Sequence, residues 1–172
     1  QQHDAINLSQ GFPNFEVDPK LIELVNQAMK NGHNQYAPMA GLFSLREVIS
    51  EKVERLYHKS YSPEHEITIT SGATQAIFTA IAAVIQPGDE VIVFKPAYDS
   101  YEPSIEVIGG TVVPIQLQAP DFKPHWDEVA SKINDKTKMI IINSPHNPSG
   151  SIWDKEDMLK LESLLKDTNI LL

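Results

Sequence analysis

One short turn carries the side chains and backbone expected of an anion site. Gly72-Ala73-Thr74 begins an apolar helical segment, and the free N–H groups at a helix N-terminus attract anions, phosphate above all. Gly72 allows a ligand close to the backbone, the N–H groups of all three residues are candidate donors, and the Thr74 hydroxyl adds another. The turn matches neither GxGxxG nor the phosphate loop of nucleoside triphosphatases. An ordinary N-terminal turn, small for packing reasons, is the alternative interpretation.

Two further segments follow predicted strands. Tyr98 presents an aromatic ring on which a flat heteroaromatic ligand can stack, although a tyrosine that caps the core fits the same place. Asn147 lies between Pro145 and Pro148, which restrict the backbone and hold its amide where it can donate to an anionic oxygen. A purely structural Asn-Pro turn is the alternative. We interpret His146 as a solvated turn residue, because no second metal ligand lies at a suitable spacing and the other histidines are scattered.

These segments need a scaffold that brings strand ends together. After residue 65, short apolar runs alternate with helical segments, giving strands 66–70, 90–94, 111–117, 138–143 and 169–172 and helices 75–85, 98–108, 126–133 and 154–166. This alternation predicts a three-layer αβα fold with a mostly parallel sheet, whose ligands bind at the carboxyl ends of the strands. Pro114 predicts that its strand either lies at an edge of the sheet or is irregular. Two amphipathic helices precede the sheet, one opening at Asp18-Pro19 and one after Gly41.

Composition limits the classes of partner. The 172 residues carry a formal net charge of −9 and no cysteine. This acidity argues against nucleic acid and anionic membranes as partners, and no apolar stretch approaches the roughly 20 residues needed to span a bilayer. The absence of cysteine excludes disulfides and thiolate metal sites, and it fits a cytoplasmic location. The first residue is not Met and the last four resemble an incomplete strand, so we expect a fragment.

Five motifs occur in an order that resembles the fold-type I aminotransferases of classes I and II: LSQGFP, NQYAPMAGLFSLRE, ITSGATQAI, PGDEVIVFKPAYDSY and NSPHNPSG. In detail the chain is most similar to the methionine aminotransferase and kynurenine–oxoglutarate transaminase branch. The resemblance implies the cofactor pyridoxal 5'-phosphate and amino-group transfer between an L-amino acid, methionine or an aromatic one, and a 2-oxo acid. It also implies that residues 1–40 belong to a small domain and residues 41–172 to an incomplete cofactor-binding large domain.

The resemblance further implies a role for each matching residue. Gly72-Ala73-Thr74 binds the cofactor phosphate, Tyr98 stacks on the pyridine ring, and Asn147 contacts the phenolic oxygen and the substrate carboxylate. Gly11 offers that carboxylate a backbone contact. Tyr36 reaches the phosphate of the neighbouring subunit's cofactor, which implies an isologous homodimer with shared active sites.

The residues that perform the family's chemistry have no counterpart in this sequence. The Schiff-base lysine of a Ser-x-x-Lys motif, the Asp-x-x-Tyr strand and the late arginine are missing, and we expect them beyond Leu172. We therefore assign no catalytic residue and expect the fragment alone to be inactive. Two alternatives remain open: a carbon–sulfur β-lyase on the same fold, and a non-catalytic regulatory module.

Overall fold

The computed structural model describes Gly11 and residues 13–172, and the chain divides into two compact units, Gln1–Ile69 and Thr70–Leu172. The boundary predicted between residues 40 and 41 lies within the first unit, and the assignment of residues 1–40 to a small domain stays a prediction.

The first unit contains α1 (Pro19–Lys30) and α2 (Phe43–Tyr57), where two helices were predicted. The Asp18 side chain accepts a hydrogen bond from the Lys20 N–H at 2.8 Å, with Pro19 in the first turn, so the predicted helix start is confirmed. Arg46 of α2 is buried and donates to the Pro63 carbonyl at 2.7 Å. This bond fastens the segment after α2 to the helix.

The strand predicted at 66–70 is wrong. Residues 67–70 are in no helix or strand, and the Ile69 N–H donates to the Ala40 carbonyl at 3.0 Å. The β-branched sequence favours an extended backbone, but a strand also requires a neighbouring strand, and none of the described strands lies beside it.

The second unit alternates helices and strands: α3 (Ala73–Val84), β1 (Glu90–Lys95), α4 (Tyr101–Val107), β2 (Thr111–Gln116), α5 (Trp126–Lys132), β3 (Thr137–Ile141) and α6 (Lys155–Leu165). The strands are parallel, as the βαβ pattern predicted, and they lie in the order β2-β1-β3. The helix predicted from Tyr98 begins three residues later, because the residues before Tyr101 form a turn. The strand predicted at 169–172 forms a single parallel bridge, between Leu171 and Met139.

Side chains alternate between the two faces of β1, and helices cover both. Ile92 and Phe94 belong to a buried cluster with residues of α5 and α6. Val91 and Val93 belong to a second cluster, with Ile81 of α3 and residues of α4. The predicted three-layer αβα arrangement with a parallel sheet is therefore confirmed.

Strand β2 lies at the sheet edge, one of the two alternatives that Pro114 predicted. Pro114 is in register with Val93 of β1, and its carbonyl oxygen accepts a hydrogen bond from Nζ of Lys132 in α5 at 2.8 Å. Proline has no N–H, so this outer edge offers neither a free donor nor a free acceptor at that position.

Helix α6 begins with a capping box. The Asp154 carboxylate accepts from the N–H groups of Glu156 and Asp157 at 3.0 Å each, and the Asp157 carboxylate accepts from the Asp154 N–H at 3.1 Å. Lys123 forms ion pairs with both carboxylates, and Trp126 Nε1 donates to Asp157 at 3.0 Å. The hydrogen bond from Lys123 is the main reason that the pKa of Asp154 falls to about 2.

We predict that this cap stabilises the fold in a pH-dependent way. The folded pKa of Asp154 lies below its ordinary value of 3.8, so the stabilisation is present above about pH 4 and disappears as the pH falls towards 2. Asp154→Asn keeps a capping side chain but removes the charge. The difference in urea-unfolding free energy between the wild type and this variant should shrink across that range. The exposed Asp121, changed to Asn, is the control, and an equal pH dependence for both variants would contradict the prediction.

Candidate functional site

The turn before α3 is closed by its own hydrogen bonds. Gly72 has φ +91° and ψ 166°, and its N–H donates to the Thr70 carbonyl at 2.9 Å. The Thr70 hydroxyl donates to the Gly72 carbonyl at 3.0 Å, and the Ser71 N–H donates to Gln75 Oε1 at 2.5 Å. These bonds fix the orientation of the N–H groups in the first turn of α3.

Three backbone donors remain available at this turn. Within the described part of the chain, the N–H groups of Ala73, Thr74 and Gln75 have no acceptor, and all three residues are exposed. They lie at the positive end of a 12-residue helix, where an anion is favoured. The sequence had also predicted the Gly72 N–H as a donor; that N–H is used inside the turn, so Gly72 contributes backbone conformation instead.

Tyr98 follows β1 and is half-buried. Its ring centroid lies 5.8 Å from that of Tyr101, with an angle of 68° between the ring planes. Tyr101 packs against the core, and burial, followed by the neighbouring Tyr98, raises the pKa of the Tyr101 hydroxyl. The Tyr98 ring is thus supported from the side by a tyrosine that keeps its proton.

A lysine at the end of β1 is already neutralised. Lys95 Nζ lies 2.9 Å from Glu102 Oε1, and both side chains are about one-third exposed. Because Glu102 offsets the charge of Lys95, the group that attracts an anion here is the N-terminus of α3 rather than this lysine.

Asn147 lies in a loop that is held by hydrogen bonds across it. The Asn147 N–H donates to Asn143 Oδ1 at 2.7 Å, and Asn147 itself is exposed. The His146 N–H donates to the Ser151 carbonyl at 2.8 Å, and the Gly150 N–H donates back to the His146 carbonyl at 2.6 Å. Hydrogen bonds within the loop therefore hold its backbone in place, and the Asn147 side chain is exposed.

His146 is not solvated, and this prediction was wrong. Only 4% of the residue is exposed, and Nδ1 lies 2.7 Å from Ser149 Oγ. Burial lowers the pKa of His146, and carbonyl groups at Phe94 and Pro96 oppose that shift. The sequence offered one signal that was not used: two serines, at positions 149 and 151, lie close enough along the chain to bond a buried imidazole.

The topology brings three predicted segments to one edge of the sheet. A short turn joins α3 to β1, so the helix runs antiparallel to the strand and Thr74 lies at the carboxyl end of β1. Tyr98 and Asn147 follow the carboxyl ends of the neighbouring strands β1 and β3. Gly11 and Tyr36 lie in the other unit, where both are exposed, and their roles stay predictions.

The described residues give no support for a membrane-spanning helix or for a metal site. Across Gly11 and residues 13–172, no helix is both long and apolar enough to cross a membrane. In the same part of the chain, no group of three or more His, Asp or Glu side chains is placed to hold a metal ion.

Known proteins are similar to this chain in sequence and fold. The family model for aminotransferase class I and II matches residues 3–172. The methionine aminotransferase of Escherichia coli (strain K12) is 47% identical over 161 residues, which cover 94% of this chain and 42% of that protein. The aspartate aminotransferase of Thermotoga maritima is 38% identical over 167 residues, covering 96% of this chain and 44% of the relative.

Solved structures agree with these relatives. The crystal structure of YbdL from Escherichia coli, described as having a methionine aminotransferase function, superposes with a TM-score of 0.94 at 44% identity, covering 99% of this chain and 45% of that one. An aromatic aminotransferase from Pyrococcus horikoshii gives a TM-score of 0.92 at 32% identity, covering 98% and 46%. The chain thus spans less than half the length of the proteins it matches. It belongs to the class I and II aminotransferases, a family of enzymes that depend on pyridoxal 5'-phosphate.

Proposed function

We propose that the protein containing this chain is an aminotransferase that moves an amino group between an L-amino acid and a 2-oxo acid, and that this chain supplies one side of its cofactor site. The observation that carries the proposal is the pair of free N–H groups, on Ala73 and Thr74, at the carboxyl edge of a parallel sheet. Such a pair of donors suits a phosphate group, and the family's cofactor carries one.

The turn has the open space that a phosphate requires. A Cβ placed on Gly72 would meet no atom of the described residues within 4 Å, so the space beside Gly72 is open. The Thr74 hydroxyl is exposed on the same first turn and supplies a further donor. The residues present therefore fit a phosphate, and no lysine charge is required beside them.

Tyr98 and Asn147 complete this side of the proposed site. The half-buried Tyr98 ring, supported by Tyr101, is suited to lie against a flat pyridine ring and exclude water from one of its faces. The Asn147 amide, exposed on a rigid loop, donates to the phenolic oxygen of the cofactor and to a substrate carboxylate. When bound, pyridoxal 5'-phosphate acts as an electron sink for the substrate's α-carbon.

The finer assignments are part of the same proposal. Methionine or an aromatic amino acid is the proposed amino donor, supported by the methionine aminotransferase at 47% identity and by the aromatic aminotransferase structure. Gly11 is proposed to contact the substrate carboxylate. The fully exposed Tyr36 is proposed to reach the cofactor phosphate of a second subunit in a cytoplasmic homodimer. Residues 1–40 are proposed to belong to the small domain and residues 41–172 to the large domain.

A direct assay tests this function. The full-length protein, loaded with pyridoxal 5'-phosphate, is expected to convert methionine and a 2-oxo acid into the corresponding 2-oxo acid and new amino acid, and this 172-residue chain alone is expected to form neither. Chromatography of the products is the measurement. Pyruvate and ammonia released from cystathionine, without a new amino acid, would identify a carbon–sulfur β-lyase instead. No turnover with any amino acid would support the regulatory module.

A further inference from the structure

The hydrogen bonds around His146 give this buried residue a role that the sequence did not suggest. We propose that His146 is a positioning residue, which holds the loop 143–151 against the segment that precedes α5 so that the Asn147 amide faces the cofactor site. The proposal rests on the proposed function, because it concerns how Asn147 is oriented towards the cofactor.

The His146 side chain begins a chain of polar contacts that leads out of the loop. Nδ1 lies 2.7 Å from Ser149 Oγ, which lies 3.1 Å from Ser151 Oγ. The Ser151 N–H donates to Ser149 Oγ at 3.3 Å, and the Ser151 hydroxyl donates to the Phe122 carbonyl at 3.3 Å. The imidazole therefore connects the loop to the segment that precedes α5.

The backbone of the same residue is also held. The His146 N–H donates to Ser151, and its carbonyl accepts from Gly150. The next N–H along the chain, that of Asn147, donates to Asn143 Oδ1. The peptide groups that precede the Asn147 α-carbon are thus held by hydrogen bonds to residues earlier and later in the loop. The exposed side chain of Asn147 is left free to contact a ligand.

A neutral imidazole suits this position. It has one N–H donor and one acceptor nitrogen, and Nδ1 lies within hydrogen-bond distance of the Ser149 hydroxyl, which can both donate and accept. Burial, which lowers the pKa of His146, favours that neutral form. The neutral ring therefore keeps its contact with Ser149 without placing a charge in a buried position.

The test is a double-mutant cycle on the full-length protein, read out as the dissociation constant of pyridoxal 5'-phosphate. His146→Phe keeps a buried ring but removes both nitrogens, and it is expected to weaken cofactor binding about tenfold. In an Asn147→Ala background the same change is expected to have less than about a twofold effect, because the side chain that it positions is absent. Ser149→Ala, which removes the partner of Nδ1, should reproduce most of the effect. Ser131→Ala removes a hydroxyl that bonds Glu128 within α5 and should leave binding unchanged.

Two further readouts do not depend on the loaded enzyme. In the cofactor-free protein, His146→Phe should speed hydrogen exchange of the Asn147 and Gly150 amides, while exchange in β1 stays as in the wild type. His146→Asn, whose amide replaces Nδ1, should restore slow exchange and most of the affinity. If His146→Phe fails to fold, Ser149→Ala carries the cycle.

Each outcome discriminates between the two proposals. Equal losses of affinity in the wild-type and Asn147→Ala backgrounds, or unchanged exchange in the loop, would overturn the positioning role while leaving the proposed function intact. A wild-type protein that does not bind pyridoxal 5'-phosphate would overturn the proposed function, and with it the positioning role. Coupled losses together with faster loop exchange support both.

Discussion

Gly72→Ala is expected to weaken the binding of pyridoxal 5'-phosphate to the full-length protein by about ten- to a hundredfold. The backbone at φ +91° and ψ 166° lies in a region that is almost restricted to glycine, and another residue there costs about 1–3 kcal/mol. The added Cβ would meet no atom within 4 Å, so the loss comes from backbone strain rather than collision. When the turn relaxes, the N–H groups of Ala73 and Thr74 no longer point at a common anion.

Gly88→Ala is the matched control for this prediction. Gly88 also has φ +91° and open space around a Cβ, but it lies in the turn that leads into the amino end of β1. The two variants should lose similar free energy of unfolding, whereas only Gly72→Ala should lose cofactor affinity, measured by titration with pyridoxal 5'-phosphate. Equal losses of affinity would show that Gly72 acts through general stability, and the phosphate assignment would then be wrong.

Trp153→Ala is expected to destabilise the chain by about 3–5 kcal/mol, the usual range for a buried tryptophan. Trp153 is 5% exposed, and its ring packs edge-on against Phe94, with centroids 4.8 Å apart, and against Trp126 at 5.7 Å. The substitution leaves a cavity between the sheet and the α5–α6 layer, next to the loop that carries Asn147. Urea unfolding monitored by circular dichroism measures the loss.

Two control variants separate volume from polarity at this position. Trp153 Nε1 is buried and has no hydrogen-bond acceptor among the described residues, so Trp153→Phe removes an unpaired donor together with part of the ring. We expect it to cost less than half as much as Trp153→Ala. Leu159→Ala, on the half-exposed face of α6, should cost less than about 1 kcal/mol. A Trp153→Ala variant no less stable than Leu159→Ala would contradict this view of the core.

The sequence predicted the sheet and its layers well because both depend on local pattern. The apolar run from Val91 to Phe94 alternates between two buried clusters, and short turns between elements leave a parallel crossover as the simplest connection. Segment 66–70 was predicted wrongly, because strand formation depends on a partner that is remote in sequence. Segment 169–172 does have a partner strand, β3, but it pairs there only through the single bridge at Leu171.

The candidate site was predicted in part. Thr74, Tyr98 and Asn147 were placed beside strand ends because such loops are recognisable from glycine, proline and aromatic residues, and their roles in binding stay predictions. His146 was misinterpreted, since its burial depends on contacts between segments that are remote in sequence; Ser151, in the same loop, bonds the Phe122 carbonyl 29 residues earlier. The use of the Gly72 N–H within its own turn was also missed, because that bond depends on the backbone conformation.

The edge formed by Pro114 and Lys132 has a consequence for the solubility of this protein during its synthesis. A strand of a second molecule can pair with an exposed strand only where N–H and carbonyl groups are free. Pro114 has no N–H, and its carbonyl oxygen already accepts a hydrogen bond from Lys132. The opposite edge, at β3, does accept a partner, because Met139 pairs there with Leu171. Strand addition is therefore directed to β3, and intermolecular pairing that begins at β2, a common route to aggregation, is discouraged before the rest of the sheet is in place.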